Sequence, residues 1–380
     1  MISTAYRFIR YDKVKGLGVI IGIVVSIFLI GQQVGIMTFL TGLMGGLVSN
    51  SRQDIGQIWV VDNITRNANE LPKLNESLVW ELRSIEGVKN TFPIVASGAS
   101  VRFENGKLAP VLITGSEPPL FVAGPKPETV YEGNVMSLND DNAVSAEFYD
   151  QSVFDFPVKV GTRVEINGKN ATVKLMTKNA RGFAGSFFYT TLSKARFYTS
   201  FPESKVSTIA VQVKPGYSVD EVVSNINRSV YGIKAWNAEK LRKTTISYIS
   251  ISSNIGTSIG SLVIFAVISG FFIIGLTLYS SAVDRIRDYG TLKAIGATNR
   301  YITKLIITQS FLFAVTGFVI AIFLLEGFRA GVSNAGLVIK YSFAEYAVLF
   351  LVTVFISVGS SLFFSVRTIN KVEPAAVFRG

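Results

Sequence analysis

Three carboxylates lie close together in the middle of the chain and are its best candidate for metal chemistry. Asp140, Asp141 and Glu147 fall within one short segment. Carboxylate oxygens are the ligands that hard cations such as Ca²⁺ and Mg²⁺ prefer. Acidic residues grouped at a turn are more often simply solvated, so we interpret these three as surface charges and predict no metal site.

The composition excludes most other catalytic chemistry. The sequence has no cysteine and no histidine, so it excludes disulfides, zinc sites made from these residues, and Ser-His-Asp or Cys-His catalytic groups. It also lacks the G-x-x-x-x-G-K-[ST] loop that cradles nucleotide phosphates. We therefore predict that the protein is not an enzyme, with no catalytic or cofactor-binding residue. Any ATP and Mg²⁺ should be bound by a separate chain.

Long apolar segments are the clearest structural signal in the sequence and indicate membrane helices. Of all residues, 49% are hydrophobic and only 17% are charged, below the quarter that soluble domains usually contain. Four runs without a charged residue are long enough to cross a bilayer, which takes roughly 20 residues. These runs are 16–51, 244–283, 305–325 and 346–366. The apolar part of the first run is too long for a signal peptide, so we expect it to stay as an anchor.

Basic residues indicate how the spans are oriented. The N-terminal segment, the loop after the second span and the C-terminal tail together carry a net charge of +8, whereas residues 50–245 carry only +3. Because Lys and Arg accumulate on the cytoplasmic side of a membrane, both termini should be cytoplasmic and the large domain external. This topology accounts for most of the net charge of +11, so we expect no nucleic-acid partner.

The external residues 52–243 have the pattern of a mixed domain. The predicted strands are 57–61, 99–103, 109–114, 143–146, 158–160, 163–166, 171–175, 208–213 and 233–236, and the predicted helices are 75–85 and 218–230. The predicted fold is an α-helical membrane protein with four transmembrane helices plus a large extracytoplasmic α+β domain. Its α/β part is discontinuous, because a β-rich subdomain is inserted in it.

The segments follow one another in a simple order. They are a cytoplasmic amphipathic N-terminus (1–15), TM1 with a stalk (16–50), the first α/β half (51–119), the β-rich subdomain (120–205), the second α/β half (206–243), a stalk with TM2 (244–283), a cytoplasmic loop (284–303), TM3 (304–326), a short outer loop (327–344), TM4 (345–367) and a cytoplasmic tail (368–380). We expect the stalk before TM2 to be a stiff helix that carries motion between the external domain and the cytoplasmic loop.

Glycines four residues apart allow close helix contacts. Such pairs occur in TM1 and TM2 at Gly18/Gly22, Gly31/Gly35, Gly42/Gly46 and Gly256/Gly260. Glycine is frequent in membrane helices in general, which would explain the pairs without an interface. We predict a TM1–TM2 contact across a homodimer.

The cytoplasmic loop carries the clearest motif. Residues 283–302 read VDRIRDYGTLKAIGATNRYI, which resembles the cytoplasmic segment R-x-R-E-I-G-x-L-K-A-x-G-A-x-x-x-x-I of the FtsX-like permease superfamily. Asp288 stands at the usual Glu and Tyr289 at the usual Ile. The ending KVEPAAVFRG resembles the family's K-x-x-P-x-x-x-L/F-R. The likeness extends over the whole chain and is greatest to MacB-type (mechanotransmission, type VII) ABC transporter permeases, among which stand-alone DevC-like subunits fit best.

This resemblance implies a mechanism. The family's permease forms a homodimer in the bacterial inner (cytoplasmic) membrane and binds a separate ABC ATPase. The external domain, with its porter-like α/β part, would expel substrate from the periplasm or outer leaflet, commonly with a periplasmic adaptor and an outer-membrane channel. FtsX itself implies an alternative, a signalling protein that regulates cell-wall hydrolases.

Residues 284–297 would then form the coupling helix that docks in a groove of the ATPase, with Gly296 ending it. Attraction of a basic helix to membrane lipid would explain its charges but not their order. The predicted coupling residues are Asp284, Arg285, Arg287, Asp288, Leu292, Ala294, Ile295 and Gly296.

A second candidate binding segment lies in the β-rich subdomain. Between Lys159 and Arg196 there are eight basic residues and one acid, and residues 181–189 combine glycines with aromatic side chains. Mobile, exposed aromatics are typical interface anchors, so we hypothesise contact with an adaptor or an acidic, lipid-like substrate. The residues involved would be Arg181, Phe183, Phe187 and Phe188. Alternatively, Phe187 and Tyr189 alternate into the subdomain core and the basic residues are merely solvated.

Overall fold

The structure, a computed structural model, describes residues 13–183, 185–333 and 335–366. The predicted N-terminal segment up to residue 12 and the tail from residue 368 lie outside the described residues. The described chain forms two compact units. One contains residues 13–38, 256–333 and 339–366, and the other contains residues 39–255 and 335–338.

Four helices of the described chain are long and apolar enough to cross a membrane. These stretches are Gly16–Met44, Ile255–Asp284, Asn299–Ser333 and Phe343–Val366, so the prediction of four spans is confirmed. TM1, TM2 and TM3 lie in helices α1 (Lys13–Met44), α8 (Ile255–Asp284) and α10 (Asn299–Ser333). TM4 is formed by α11 (Phe343–Ser361) and the π-helical turn that continues it (Leu362–Val366). Helix α11 starts with a capping box, in which Ser342 and Glu345 satisfy each other's backbone N–H groups.

Besides the end of α1, the extracytoplasmic unit contains twelve described strands, six described α-helices and three described 3₁₀ helices. The α-helices are α2 (Gly46–Ser49), α3 (Leu78–Arg83), α4 (Gln151–Phe154), α5 (Leu192–Thr199), α6 (Val219–Ser229) and α7 (Ala238–Ser252). The strands are β1 (Ile58–Asp62), β2 (Leu74–Asn75), β3 (Val88–Arg102), β4 (Leu108–Ser116), β5 (Val130–Gly133), β6 (Ala143–Glu147), β7 (Arg163–Ile166), β8 (Lys169–Thr177), β9 (Ser186–Thr191), β10 (Lys205–Val206), β11 (Thr208–Val213) and β12 (Ile233–Asn237). The α+β class is confirmed.

Ten of these strands form one mixed sheet. Its order is β12-β1-β11-β3-β7-β8-β5, with β4 paired to β3 and β9, and β6 paired to β8. The 15-residue strand β3 connects the two parts, because its first half pairs with β11 (Ile94 opposite Thr208) and its end pairs with β7 (Val101 opposite Ile166). One long strand therefore serves both parts of the domain.

Three hydrophobic cores support this sheet. The α/β part packs around Ile58, Val211 and Val222, and the β-rich part packs around residues that include Val111 and Phe188. A third core, with Trp59 and Phe187, adjoins them. Since the β3–β4 hairpin contributes Val101 and Val111 to the β-rich core, that core begins before the predicted boundary at residue 120.

Two local predictions differ from the structure. Residues 158–160 are not a strand. They precede a turn at Gly161 (φ +96°), whose N–H donates to Val173 O at 2.7 Å. The stalk before TM2 is not one continuous helix, because α7 ends at Ser252 and α8 begins at Ile255, with Asn254 in the left-handed region (φ +57°).

The TM1 glycines contact other parts of the same chain. An added Cβ at Gly22 would lie 3.1 Å from Ile273 of TM2, and one at Gly31 would lie 2.4 Å from Leu325 of TM3. The remaining neighbours are Thr277 for Gly18 and Tyr341 for Gly35. Gly22, Gly31 and Gly35 therefore pack closely against side chains of their own chain, whereas Gly18 has only an ordinary contact. The dimer contact of the TM1 glycines stays a prediction. Gly260 of TM2 has open space around it, and the dimer contact of the Gly256/Gly260 pair stays a prediction.

Candidate functional site

The loop between TM2 and TM3 folds into a short helix, α9 (Ile286–Ala294). The backbone leaves the helical region at Arg285 (φ −100°, ψ 21°), which separates α9 from TM2. At the other end, Gly296 has φ +102° and its N–H donates to Lys293 O at 3.0 Å, while Ala297 N–H donates to Leu292 O at 2.9 Å. This pair of bonds is the Schellman pattern, in which glycine adopts the left-handed conformation readily. The prediction that Gly296 ends the helix is confirmed.

Tyr289 anchors α9 to the membrane helices. Its side chain is 2% exposed and belongs to a cluster with Ala282 of TM2 and with Ile302 and Leu305 of TM3. Burial raises the pKa of its phenol to about 12, so the ring is neutral at physiological pH. The sequence interpretation did not assign this residue a role, because its contacts with TM2 and TM3 are not visible in the pattern of the loop itself.

Leu292 packs on the same cluster and is half-buried. The contact with the cluster gives Leu292 a packing role within the chain, and its predicted role in coupling stays a prediction. Its position three residues after Tyr289 explains the packing, because residues i and i+3 share one face of a helix. The anchoring face of α9 therefore contains Tyr289 and Leu292.

The other side of α9 is exposed. Ile295, the C-cap residue of α9, is 76% exposed. Charged Arg287 and Asp288 are exposed about two turns before it. Of the other predicted coupling residues, Asp284, Ala294 and Gly296 are exposed and Arg285 is half-buried. One apolar side chain beside charges, on a helix fixed from behind, is suited to docking against another protein.

The second predicted segment is mostly internal. Phe187 and Phe188 are fully buried, on opposite faces of β9, in two different cores. They cannot be the exposed anchors that we expected. Phe183, 40% exposed, is the one described aromatic of residues 181–188 that a partner can reach. Gly182 is not a point of free motion either, because an added Cβ there would lie 2.0 Å from the Phe187 ring.

The three candidate metal ligands do not meet. Asp140 and Asp141 are exposed, whereas Glu147 is completely buried. The carboxylate of Glu147 accepts hydrogen bonds from Thr177 Oγ1 (2.7 Å), Asn179 N (2.8 Å) and Ala180 N (3.0 Å). Burial raises its pKa to about 7, and these bonds oppose the shift. Over the described residues no group of three or more acidic ligands could hold a metal ion.

Comparison with known proteins shows which family the chain belongs to. The family model "MacB-like periplasmic core domain" matches residues 17–229, more than half of the 380 residues, and "FtsX-like permease C-terminal" matches residues 260–372. The chain belongs to the FtsX-like and MacB-like family of ABC transporter permeases. The second match contains α9, so this helix lies in the part of the chain that the FtsX-like model covers. Permeases of this family are membrane proteins and are not themselves enzymes.

A full-length relative is similar over the whole chain. It is the "Uncharacterized ABC transporter permease MJ1507" of Methanocaldococcus jannaschii, 22% identical over 100% of this chain and 98% of the relative. The position of the chain within the family, next to DevC-like subunits, stays a prediction.

Two solved external domains are also similar. The periplasmic region of MacB from Actinobacillus actinomycetemcomitans is 13% identical, covering 52% of this chain and 96% of that one, with a TM-score of 0.37. The extracellular domain of the noncanonic ABC-type transporter YknZ from Gram-positive bacteria is 15% identical, covering 47% of this chain and 99% of that one, with a TM-score of 0.34.

Proposed function

We propose that this permease is the membrane subunit of an ABC-type exporter. A separate ATPase, which binds ATP and Mg²⁺, would dock on α9, and closure of the ATPase would move the membrane helices and the extracytoplasmic domain. That movement would expel a substrate from the periplasm or outer leaflet. The observation that carries the proposal is the contrast between Tyr289 of α9, which is buried, and Ile295 at the C-cap of the same helix, which is exposed.

The geometry of α9 supports force transfer. A docking helix transmits motion only if it cannot slide on its own protein, and the cluster around Tyr289 includes residues of TM2, TM3 and the end of TM4. Exposed Arg287 and Asp288 would form a polar rim and Ile295 the desolvated centre of the contact. Such a division between rim and centre is usual in protein interfaces.

The proposed assembly has further parts. We propose a homodimer of the permease with two ATPase chains, placed in the bacterial inner membrane with both termini in the cytoplasm. A periplasmic adaptor and an outer-membrane channel would carry the substrate onward. The charge asymmetry of the loops supports the orientation, and the MacB-like external domain supports export. Signalling to cell-wall hydrolases is the alternative, because the FtsX-like match covers the membrane part that both kinds of protein would share.

Purification tests the proposal. The chain alone should hydrolyse no ATP, because its sequence has no phosphate-binding loop. Co-expression with its cognate ATPase should give a 2:2 complex that hydrolyses ATP and, in vesicles, moves substrate. ATP hydrolysis by the isolated chain would contradict the proposal. A complex that hydrolyses ATP and stimulates a cell-wall hydrolase without transport would favour signalling.

A further inference from the structure

Residues 181–183 hold together distant parts of the extracytoplasmic unit. The Arg181 carbonyl accepts a hydrogen bond from Asn50 Nδ2 at 2.9 Å, and Phe183 N–H donates to Leu43 O at 2.9 Å. Leu43 is one residue before the end of α1, the helix that contains TM1. The backbone of this short connection is therefore fixed where the chain leaves its first span.

The side chain of Arg181 adds a second link. Its Nε lies 2.8 Å from Asp150 Oδ1, and its Nη1 donates to Gly336 O at 2.5 Å. Gly336 lies between TM3 and TM4. The two ends of the guanidinium fork thus reach a side chain of the β-rich part and a backbone carbonyl of the TM3–TM4 loop.

Burial makes this bridge significant. The Asp150 side chain is 3% exposed and that of Arg181 is 18% exposed. The second oxygen of Asp150, Oδ2, is buried without a hydrogen-bond partner in the described structure. Removing Arg181 would leave a buried, uncompensated carboxylate, which is far more costly than losing a surface ion pair. Lysine could not replace it, because a single ammonium lacks the planar fork that reaches both partners.

The loop itself is shaped for this contact. Gly336 has φ +86°, and a Cβ added there would lie 3.3 Å from Tyr149 O and 3.5 Å from Tyr149 Cβ. Glycine therefore allows both the left-handed backbone and the close approach. Residues 335–338 belong to the same compact unit as the extracytoplasmic domain, although they are remote from it in sequence.

We propose that Arg181 is an intramolecular tie that makes the TM3–TM4 loop a fixed part of the extracytoplasmic domain. The domain would then be joined to all four spans, to TM1 and TM2 through the chain and to TM3 and TM4 through this loop. The tie persists through the working cycle, because opening it would leave the buried carboxylate of Asp150 without its ionic partner. The docking of the loop is independent of the proposed function, whereas its role in transmitting movement rests on it.

Cysteine cross-linking tests the docking. The natural chain has no cysteine, so the full-length double variant Tyr149→Cys/Gly336→Cys can form only the intended disulfide within a chain. The 3.5 Å separation of Tyr149 Cβ from the built Cβ suits a disulfide, whose Cβ atoms lie about 3.5–4.5 Å apart. We expect complete oxidation by a mild oxidant, and at least a tenfold slower reaction when Arg181→Ala is added. Arg163→Ala, which removes an exposed arginine of the same domain, is the matched control and should not change the rate.

Two outcomes would overturn the tie. The first is a folded double variant that does not cross-link, and the second is an equal rate with and without Arg181→Ala. Because Gly336→Cys strains a left-handed backbone, amide hydrogen exchange of residues 335–338 provides a measurement on the unmutated loop. Exchange there should accelerate at least tenfold in Arg181→Ala, and unchanged exchange would contradict the proposal.

Activity of the assembled complex tests whether the tie stays closed during the working cycle and whether transport needs it. With the disulfide formed, ATP hydrolysis and transport should equal those after reduction, since a persistent tie need not open. Loss of activity on oxidation would show that the contact must open. In Arg181→Ala, ATP hydrolysis should persist while transport falls at least tenfold, and unchanged transport would refute the mechanical role. If the wild-type complex moves no substrate at all, the proposed export function fails while the cross-linking result still decides the docking.

Discussion

Tyr289 and Ile295 belong to one short helix and its cap, yet the first is 2% exposed and the second 76% exposed. The tyrosine is held among residues of the membrane helices, and the isoleucine is available to a partner. The difference in exposure distinguishes an anchoring role for Tyr289 from a docking role for Ile295. The sequence alone does not distinguish them, because both residues lie within the same family motif. The difference also leads to different expectations when each residue is changed.

Replacing Ile295 with Asp should release the ATPase. Ile295 is the large apolar residue on the exposed side of α9, and loss of such an anchor typically costs about 2 kcal/mol or more, roughly a 30-fold weaker affinity. Arg287→Ala should weaken binding much less, because rim charges contribute little. Affinity can be measured by titrating labelled ATPase onto the detergent-solubilised permease. Equal affinities for wild type and Ile295→Asp would place the docking surface elsewhere.

Replacing Tyr289 with Ala should loosen α9 instead of removing its docking surface. Truncation of a buried aromatic side chain usually costs about 3–5 kcal/mol, so we expect lower thermal stability and faster hydrogen exchange in residues 286–294. Tyr289→Phe retains the buried ring and is the matched control. A Tyr289→Ala variant with wild-type exchange in α9 would show that the cluster does not anchor the helix.

How far the sequence predicts this protein depends on which forces act locally. Strands 163–166 and 208–213 agree with β7 and β11 residue for residue, because alternation and turn residues are local. Alternation gave the burial of Phe187 and Tyr189 as one of two alternatives, and the structure buries both. The burial of Phe188 on the other face of β9 was not predicted, although a continuous apolar run is typical of a strand covered on both sides. The bridge from Arg181 to Gly336 spans 155 positions, and no pattern within a short segment specifies such a contact.

The TM1 glycines should matter for folding and Gly260 for association. Valine at position 31 would meet Leu325, whose Cδ1 lies 2.4 Å from an added Cβ, and such overpacking costs about 1–3 kcal/mol. Gly31→Val should therefore lower the melting temperature, and the protein that remains folded should keep the oligomeric state of the wild type. Gly260→Val, made where space is open, should leave the melting temperature of the monomer near wild type and weaken the dimer. Light scattering in detergent measures the second effect, and an unaltered dimer would exclude Gly260 from the interface.

Glu147 should make stability depend on pH. Its pKa is raised from 4.5 to about 7, chiefly by burial, so the folded state holds a proton that the unfolded state has released above pH 4.5. Stability is then greatest below pH 4.5 and falls as pH rises to about 7, by about 3 kcal/mol at 1.36 kcal/mol per pKa unit. The charge of Asp150, which is paired with Arg181, adds to the shift.

Glu147→Gln removes this titration and keeps the side-chain shape. The difference in unfolding free energy between wild type and variant, measured on the full chain from pH 4.5 to 7.5, should change with pH in the variant's favour. Asp141→Asn, which changes an exposed carboxylate nearby, should give a difference that is nearly constant over the same range. A constant difference for Glu147→Gln as well would mean that Glu147 is ionised throughout.

Phe183 is the remaining test of a contact with an adaptor or an acidic, lipid-like substrate. The structure assigns Arg181 to an internal bridge and buries Phe187 and Phe188, so a variant at Arg181 would confuse folding with binding. Phe183 is 40% exposed, and serine there should disturb the fold little.

If the Phe183 ring is an interface anchor, Phe183→Ser should lower export at least tenfold, about 1.4 kcal/mol, while membrane insertion and basal ATP hydrolysis of the complex stay normal. Leu108→Ser, at an apolar side chain of the same domain that is 64% exposed, is the control and should leave export unchanged. Equal export by both variants would show that Phe183 is ordinary surface.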